Sequence, residues 1–353
     1  VRSRRQRQMC IRDRYKIHKR SFPWRKSRDP YKIWLSEIIL QQTRIAQGTP
    51  YYQSFIENFP TVDALAAADE QQVLKLWQGL GYYSRARNLH HTAQAIVSDY
   101  DSVFPHIFSE LLTLKGVGNY TASAISSICF DEPQAVVDGN VYRVLARYFG
   151  KDTPIDASYA LKEFKALASE LMGTESPGDF NQALMEFGAL QCTPKNPLCD
   201  RCPFQKDCVA FNQNKIDQLP FKKNKIKVTN RYFNYLVFVT PAGKTLLSQR
   251  TAKGIWQHLY EFPLVESEQL LNFEELIDDP NLSKYTDMKE VTLSKINENP
   301  IKHKLSHQQL YITFWKINTE QLLGAAIDEN KLPNYPVPIV LQKFIENFYK
   351  SKT

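Results

Sequence analysis

Two patterns of hydrophobic and polar positions divide the chain. From residue 29 to about 225, apolar residues recur at the spacing of amphipathic helices, and Gly, Pro and Asp separate the segments. Further on, β-branched and aromatic residues concentrate in RYFNYLVFVT, KTLLSQR and QQLYITFWKI, which predict strands. Helical stretches near 266–277 and 338–350 accompany them. The pattern therefore predicts an all-α domain followed by a smaller α+β domain.

Composition suggests where these regions meet. Residues 212–230 are polar and lysine-rich with a single Pro, which is typical of a linker. Residues 1–14 have no core pattern, and we expect a disordered basic arm there, either native or foreign to the protein. The helical domain is then expected over 15–211 and the second domain over 231–350.

Charge and hydropathy limit the classes of protein. The 353 residues are 43% hydrophobic and 23% charged, as in soluble globular proteins. No run of roughly 18 or more apolar residues occurs, and we see no secretory signal, so we expect no membrane span and a cytoplasmic location. The net charge is +8, but residues 1–28 alone hold twelve Lys or Arg against one Asp. Basic character is thus local, and it only weakly favours a polyanionic partner.

The helical segment WLSEIILQQT, residues 34–43, contains a carboxylate in an apolar setting. Asp29 and Pro30 precede it as a candidate N-cap and first-turn residue. Glu37 either points to solvent or pairs with a base, or it lies in an apolar wall. In the second case its pKa rises and it can act as an acid near neutral pH.

Four of the six cysteines fall within 17 residues, with the spacing C-x6-C-x2-C-x5-C. They are Cys192, Cys199, Cys202 and Cys208. Disulfides are not expected in an intracellular chain of this size, so the loop predicts a four-thiolate site for zinc or a [4Fe–4S] cluster. Cys10 and Cys129 are left over, and Cys129 lies in an apolar run typical of a core.

A tight turn and an aspartate suggest a second site. Gly116 and Gly118 separate two predicted helices, either as an ordinary turn or as a phosphate-binding one. Asp138 is a candidate N-cap, where the helix terminus favours the ionised carboxylate. Glu37 and Asp138 thus occupy opposite environments, which is typical of the acid and the charge stabiliser that cleave a glycosidic bond.

A resemblance sharpens this hypothesis. The chain contains, in order, FPWR, DPYKIWLSEIILQQT, WQGLGYYSRARNLH, LKGVGNYTASAI, VVDGNVYRVLAR, FNQALMEFGAL and the four-cysteine loop. Over residues 15 to about 225 it resembles the adenine DNA glycosylases of the MutY family, in the helix-hairpin-helix superfamily. The resemblance implies an all-α helix-hairpin-helix glycosylase domain with an iron–sulfur loop, plus a smaller α+β Nudix-like C-terminal domain. It also implies that the four cysteines, over residues 192–208, bind a [4Fe–4S] cluster.

The resemblance further implies roles for particular residues. Glu37 would protonate N7 of a flipped adenine, and Asp138 would stabilise the sugar cation. Tyr120 stands where endonuclease III-like relatives carry a lysine, which implies base removal without efficient strand cleavage. The remaining implied contacts are with DNA through Gln42, Thr43, Tyr82, Gly116 and Gly118, and with the base through Trp24 and Arg25.

The C-terminal domain resembles that of the family less closely. KTLLSQRTAKGIWQHLYEFP fits its opening strands, and the acidic Nudix box is absent, so we expect no nucleotide hydrolysis. HKLSHQQLYITF fits the loop that contacts 8-oxoguanine, which implies DNA contacts by Ser306 and His307. Leu305 stands where the family often has Phe, which puts stacking there in doubt.

The implied function is removal of adenine opposite 8-oxoguanine or G in double-stranded DNA by a monomeric, nucleoid-associated enzyme. Two alternatives stay open at this point. One is a glycosylase of the same superfamily that removes thymine or another pyrimidine. The other is a DNA-binding or redox-sensing iron–sulfur protein without catalysis.

Overall fold

The structure is a computed structural model that describes residues 4–224, 227–280, 282–285 and 292–350. The chain forms two compact units, and neither is continuous in sequence. Val1–Ala67 and Asn88–Asn224 make up the first, the helical unit, and Ala68–Arg87 joins Lys225–Thr353 in the second, the sheet unit. The predicted order of a helical and an α+β region is confirmed. The packing of Ala68–Arg87 with the C-terminal residues is not visible in the order of elements along the sequence.

Twelve helices precede residue 213 in the described part of the chain. They are α1 (Arg4–His18), α2 (Pro30–Leu40), α3 (Ile45–Asn58), α4 (Val62–Ala67), α5 (Glu70–Leu76), α6 (Ser84–Asp99), α7 (Phe108–Leu111), α8 (Asn119–Phe130), α9 (Gly139–Phe149), α10 (Ala160–Met172), α11 (Pro177–Leu190) and α12 (Val209–Asn212). Short 3₁₀ helices lie at Pro23–Lys26, Cys199–Arg201 and Gln205–Asp207.

Helix α1 differs from the disordered arm expected over residues 1–14. It begins at Arg4, and Ile11 and Tyr15 are buried against the core formed by α9, α10 and α11. These two side chains are four residues apart and therefore share one helix face. A few apolar residues among many basic ones are a weak signal in the sequence, and tertiary packing supplies the rest of the stabilisation.

Helix α2 is buried on most sides. Asp29 caps it by accepting a hydrogen bond from the Tyr31 backbone N–H at 2.9 Å, and Pro30 occupies the first turn, as predicted. The helix ends at Leu40, three residues before the end of the segment interpreted as helical. Gln42 therefore lies in the following loop, where its φ is 55°.

The sheet unit contains nine described strands and two helices after residue 228. They are β1 (Thr229–Val239), β2 (Lys244–Leu246), β3 (Ser248–Gln249), β4 (Tyr260–Glu261), β5 (Leu264–Ser267), α13 (Phe273–Ile277), β6 (Thr292–Lys295), β7 (Ile301–Lys304), β8 (Gln308–Asn318), β9 (Ala326–Asp328) and α14 (Ile339–Lys350). The main sheet has the order β5-β1-β8-β6, and β7 also pairs with β8. Strands β1 and β8 are parallel, with Tyr232 opposite Tyr311.

The two faces of this sheet pack against different helices. On one face, Phe314 stacks on Phe344 of α14 with ring centroids 3.7 Å apart. On the other face, Trp315 and Ile317 pack in a cluster that includes Leu276 of α13. Alternation of side chains along a strand assigns each residue to one of these faces. Among the described residues, no helix is long and apolar enough to cross a membrane.

Candidate active site

Three functional groups from separate helices meet in the helical unit. Glu37 lies in α2, Tyr120 in the first turn of α8, and Asp138 directly before α9. The Tyr120 hydroxyl and the Glu37 carboxyl form a hydrogen bond. Burial raises the pKa of Tyr120 well above its usual range, and the two neighbouring carboxylates raise it further. Tyr120 is therefore a neutral hydroxyl held beside two acids.

Glu37 has the environment of an acid rather than of a surface carboxylate. Burial raises its pKa from 4.5 to about 7; the Tyr120 hydrogen bond and Arg25 oppose the rise, and Asp138 adds to it. Part of the side chain remains accessible to solvent, although protein atoms crowd the carboxyl. A carboxyl in this setting is largely desolvated but not completely shielded from solvent, so it can hold a proton near neutral pH and still exchange it.

Asp138 caps α9 through three hydrogen bonds. Its Oδ1 accepts from the backbone N–H groups of Asn140 at 2.9 Å and Val141 at 2.8 Å. Its Oδ2 accepts from the Asn140 side-chain amide at 2.7 Å. Burial nevertheless raises the pKa of Asp138, and these bonds together with Arg143 only oppose that rise. The helix terminus favours the ionised form, as predicted from the sequence, but the burial that opposes it was not predicted.

Asn140 also connects Asp138 to the cysteine loop. Its side-chain oxygen accepts a hydrogen bond from Arg143 at 2.8 Å, and the same guanidinium donates to the Cys192 carbonyl at 2.6 Å. Asn140 was not a predicted site residue. Its position two residues after a candidate N-cap aspartate is the signal that could have found it, because an Asn side chain there can reach back to the cap.

The two residues implied as base contacts have other clear structural roles. Trp24 is 6% exposed and packs edge-on against Tyr52. Arg25 pairs with Glu186 at 2.9 Å, and Arg20 binds the same carboxylate at 2.8 Å. Burial of Glu186 opposes ionisation, but the hydrogen bonds from both arginines win and lower its pKa to about 2. Arg25 is thus fixed in place, and it lies close enough to Glu37 to lower the pKa of that carboxyl.

The turn between α7 and α8 requires glycine at one of its two glycine positions. Gly116 has a φ of 80°, and a Cβ built there would lie 2.8 Å from the Asn88 Cβ. Both the left-handed backbone and the lack of space therefore exclude larger residues. Gly118 is the N-cap of α8, and a Cβ there would meet nothing within 4 Å. The geometry is that of a tight interhelical turn whose exposed end is available to a ligand.

The loop after α2 places Gln42 and Thr43 at the surface of the helical unit. Gln42 is exposed in a left-handed conformation, which is uncommon for a residue other than Gly. The Thr43 hydroxyl donates to the Gln41 carbonyl at 3.3 Å. Strained surface positions of this kind are concentrated at functional sites.

The sheet unit brings together residues that are far apart in sequence. Tyr82 is 47% exposed with a φ of 48°, and its hydroxyl forms a hydrogen bond with the Ser306 hydroxyl. Ser306 and His307 are exposed in the turn between β7 and β8, which the Leu305 N–H closes by donating to the Gln308 carbonyl at 2.8 Å. Tyr82, Ser306 and His307 were each predicted as DNA contacts from the sequence, but the proximity of Tyr82 to the other two was not.

A cavity of about 720 Å³ lies beside this turn. Its walls include Gly79–Ser84, Gly254–Trp256 and His303–Gln308. The indole of Trp256 faces the ring of His303 with centroids 5.7 Å apart. Neither residue was a predicted site residue.

The cysteine loop brings together thiol groups of the kind that bind zinc or an iron–sulfur cluster. Burial, and then the neighbouring thiols of the loop, raise the pKa of Cys199 and raise that of Cys202 to about 11. Arg147 donates to the Cys192 sulfur at 3.5 Å and to the Thr193 carbonyl at 2.7 Å. Within the described residues, no group of three or more His, Cys, Asp or Glu side chains is arranged to hold a metal ion. The fit therefore rests on the donor chemistry: four crowded thiols with an arginine beside them.

Family comparisons agree with this arrangement. Residues 35–169 match the HhH-GPD superfamily of base excision DNA repair proteins, and residues 234–347 match the NUDIX domain. Residues 192–208, which span the four cysteines, match the iron–sulfur binding domain of endonuclease III. This last match decides between zinc and iron in favour of an iron–sulfur cluster.

Similar proteins are known over most of the chain. An adenine DNA glycosylase of Buchnera aphidicola subsp. Baizongia pistaciae (strain Bp) is 35% identical over 295 residues, which are 83% of this chain and 80% of that protein. One from Buchnera aphidicola subsp. Schizaphis graminum (strain Sg) is 32% identical over 340 residues, 94% of each chain. A solved structure of a thermostable thymine-DNA glycosylase is 31% identical with a TM-score of 0.56, and it covers 60% of this chain and 97% of that one.

The alternative of an iron–sulfur protein without catalysis is set aside by the two adenine DNA glycosylases, which are enzymes by name and match most of the chain. The thymine-DNA glycosylase matches only 60% of this chain, whereas the two adenine DNA glycosylases match 83% and 94%. The chain belongs to the adenine DNA glycosylase family, and it is a DNA glycosylase of base excision repair.

Proposed function

We propose that this enzyme removes adenine paired with 8-oxoguanine, or with G, by hydrolysing the N-glycosidic bond. The observation that carries the proposal is the cluster of Glu37, Tyr120 and Asp138, in which two carboxyls flank one hydroxyl. Paired carboxylates suit an oxocarbenium-like transition state, because one acid protonates the leaving group and the other carboxylate meets the positive sugar.

Glu37 is the proposed general acid. With a pKa of about 7, roughly half of the carboxyls carry a proton at neutral pH. Adenine leaves poorly as an anion, so protonation at N7 makes it a neutral leaving group. The target nitrogen is inaccessible inside a duplex, and the nucleotide must be flipped out before Glu37 can reach it. Trp24 and Arg25 are the proposed base contacts, with Arg25 held in place by Glu186.

Asp138 is the proposed partner of the sugar cation. Its three hydrogen bonds fix both carboxylate oxygens, so little reorganisation is needed when positive charge develops nearby. Burial makes the ionised form costly in the free enzyme, and a cation beside it would relieve that cost. Attraction between the two charges is thus strongest in the transition state, where it accelerates the reaction.

Tyr120 is the proposed orienting residue. Its hydroxyl holds the Glu37 carboxyl and also contacts the Met185 sulfur at 3.7 Å. The pKa of the Tyr120 phenol lies above the usual range, so the group stays neutral. It has no amine nitrogen and therefore cannot form a Schiff base with the sugar. The proposed product is therefore an abasic site with an intact DNA backbone.

A [4Fe–4S] cluster is the proposed cofactor, held by the four cysteines of residues 192–208. When bound, it would cross-link that loop, and we assign no step of the hydrolysis to it. The loop carbonyls that Arg143 and Arg147 bind belong to this segment, so its order affects the position of Asn140 and through it that of Asp138.

Recognition of the opposite strand is assigned to exposed groups. Ser306 and His307 are the proposed contacts with 8-oxoguanine, and Gln42, Thr43 and Tyr82 are proposed to enter the opened stack. Gly116 and Gly118 would present backbone N–H groups to a phosphate. We propose that the enzyme acts on double-stranded DNA as a monomer in the nucleoid.

A single-turnover assay on four duplexes tests the proposal: A opposite 8-oxoguanine, A opposite G, A opposite T, and T opposite G. Each reaction is divided, and half is treated with alkali to break abasic sites. The expected result is alkali-dependent breaks at A, fastest opposite 8-oxoguanine, slower opposite G and absent opposite T. Breaks at T opposite G would instead assign the enzyme to thymine, and breaks without alkali would contradict the assignment of Tyr120.

A further inference from the structure

One half of a sheet face in the sheet unit is uncovered and polar. Along β1, the side chains facing α13 change from exposed Asn230 and half-buried Tyr232 to buried Leu236 and Phe238. The same gradient occurs along β8, from Gln309 and Tyr311 to Trp315 and Ile317. The hydrophobic cluster that includes Leu276 of α13 covers only the buried half.

The boundary between the two halves is closed by a satisfied polar residue. Asn234 is 2% exposed, donates to the Val265 carbonyl at 3.3 Å and accepts from the Trp315 indole N–H at 3.2 Å. Because the core ends at a residue whose hydrogen bonds are made, the uncovered half is not an unfinished hydrophobic core. Its side chains are polar or amphipathic and suit a polar, hydrated partner.

The strand register arranges these side chains in two rows. One row runs from Lys302 through Tyr311 to Tyr232, and the other from Lys304 through Gln309 to Asn230. The two tyrosines stack with ring centroids 5.0 Å apart, and the Lys302 ammonium lies 5.8 Å from the centre of the Tyr311 ring. Both lysines are exposed, and neither row contains a carboxylate. We call these six residues the tyrosine–lysine surface.

We propose that the tyrosine–lysine surface binds phosphates of the DNA duplex beside the mispair. Its groups are two ammonium ions, two phenol hydroxyls and two side-chain amides, all of which donate hydrogen bonds. Phosphate oxygens accept from this set of side chains in protein–DNA complexes, and such contacts position the protein without reading sequence. The stacked tyrosines restrict one another, so less side-chain entropy is lost on binding.

Its place in the chain supports the same partner. Lys304 is followed directly by Leu305, Ser306 and His307, and β8 then begins at Gln308. The backbone of a DNA strand held near Ser306 must therefore pass close to the ends of both rows. The inference rests on the proposed function in that it takes the Ser306–His307 turn to face DNA.

The test measures DNA affinity as a function of salt concentration with the full-length protein. The probes are two labelled duplexes: one with 2′-fluoro-2′-deoxyadenosine, which resists excision, opposite 8-oxoguanine, and one undamaged. The double variant Lys302→Gln/Lys304→Gln is expected to reduce the slope of log Kd against log salt by about 2, since each phosphate-binding lysine contributes about 1. Both duplexes should lose affinity by the same factor.

Two further variants control for nonspecific effects. Lys331→Gln removes a lysine whose side chain is 63% exposed and pairs with Asp328, outside this surface, and it should leave the slope unchanged. Tyr311→Phe keeps the stacked ring and removes one hydroxyl, so a smaller uniform loss without a change in slope is expected.

An unchanged slope in the double variant would overturn the proposal. So would a loss confined to the 8-oxoguanine duplex, because that result would mean that the neighbouring Ser306–His307 turn was disturbed. Competition with an acidic peptide tests the identity of the partner. A peptide that displaces neither duplex supports DNA as the partner. A peptide that binds the wild type but not the double variant, while DNA binding is the same in both, would overturn the proposal. Excision is measured separately, so an inactive wild type would refute the proposed function and leave the slope comparison standing.

Discussion

The two candidate sites obtain their chemistry from opposite physical conditions. In the helical unit, burial raises the pKa of Glu37 and of Asp138. In the sheet unit, Tyr82, Ser306 and Lys304 are exposed; the two hydroxyls bond to each other at the surface, and the Lys304 ammonium can donate to a partner. Desolvation favours a protonated carboxyl in the first case, and solvent access leaves polar groups open to a partner in the second. Under the proposed function, catalysis therefore depends on groups that the fold buries, and recognition on groups that it leaves exposed.

The largest expected effect is in the buried site. Glu37→Gln preserves shape and removes the transferable proton, so single-turnover excision should fall about 10²- to 10⁴-fold while DNA affinity changes little. Glu57→Gln, an exposed substitution of the same chemistry, is the matched control and should excise at the wild-type rate. An active Glu37→Gln enzyme would remove Glu37 from the mechanism.

Asp138→Asn is expected to be nearly as severe. It removes the negative charge near the developing sugar cation, and loss of one preorganised electrostatic contact costs roughly 10²- to 10³-fold. The cap of α9 should change little, because Asn and Asp cap helices about equally well. Quenched-flow excision and thermal melting separate the two effects. A variant that excises normally but melts lower would reduce Asp138 to a structural cap.

The pH profile sharpens the contrast. If excision requires protonated Glu37, the rate should fall as the pH rises through about 7. The hydrogen bond from Tyr120 lowers the pKa of Glu37, so Tyr120→Phe should move this limb to higher pH while reducing the maximal rate about tenfold. Rates from pH 5 to 9 on the 8-oxoguanine duplex measure both. If the rate falls at the same pH in the wild type and in Tyr120→Phe, the hydrogen bond does not affect the pKa of Glu37.

The smallest expected effect is on stability. Because the pKa of Glu37 is raised from 4.5 to about 7, the folded state binds its proton more tightly than the unfolded state. Its contribution to the free energy of unfolding is complete below pH 4.5 and is lost as the pH rises through 7. Relative to the wild type, Glu37→Gln should therefore gain stability between pH 5 and pH 8, on the order of 1–3 kcal/mol. Urea unfolding at pH 5 and pH 8 measures the free energy of unfolding of each protein. An equal change with pH in both proteins would argue against a raised pKa of Glu37 in the folded state.

How far the sequence could predict each site follows from the range of the interactions. The caps of α2 and α9 and the tight turn at Gly116 were predictable, because each depends on neighbours within a few residues. The contact between Tyr82 and Ser306 joins residues 224 apart, and no local pattern encodes it. Burial of Asp138 and docking of α1 through Ile11 were missed for the same reason: both depend on segments distant in sequence.

The family resemblance predicted some features that local patterns could not, but not all of them. It identified the cysteine loop as an iron–sulfur site, which the spacing alone left open. It did not indicate the two rows of the tyrosine–lysine surface, because these depend on the register of β7 and β1 against β8. Register is set by pairing across the sheet and cannot be read from any one strand.

Direct titration of the Glu37 carboxyl tests the central claim. Carbon-13 NMR of protein labelled at the glutamate side-chain carboxyl, with Glu37→Gln used to assign the signal, would follow this group from pH 3 to pH 9. The account predicts an inflection near pH 7, because burial in α2 disfavours the charged form. An inflection near 4.5, the ordinary value, would show a solvated carboxylate and contradict the assignment of Glu37 as the acid.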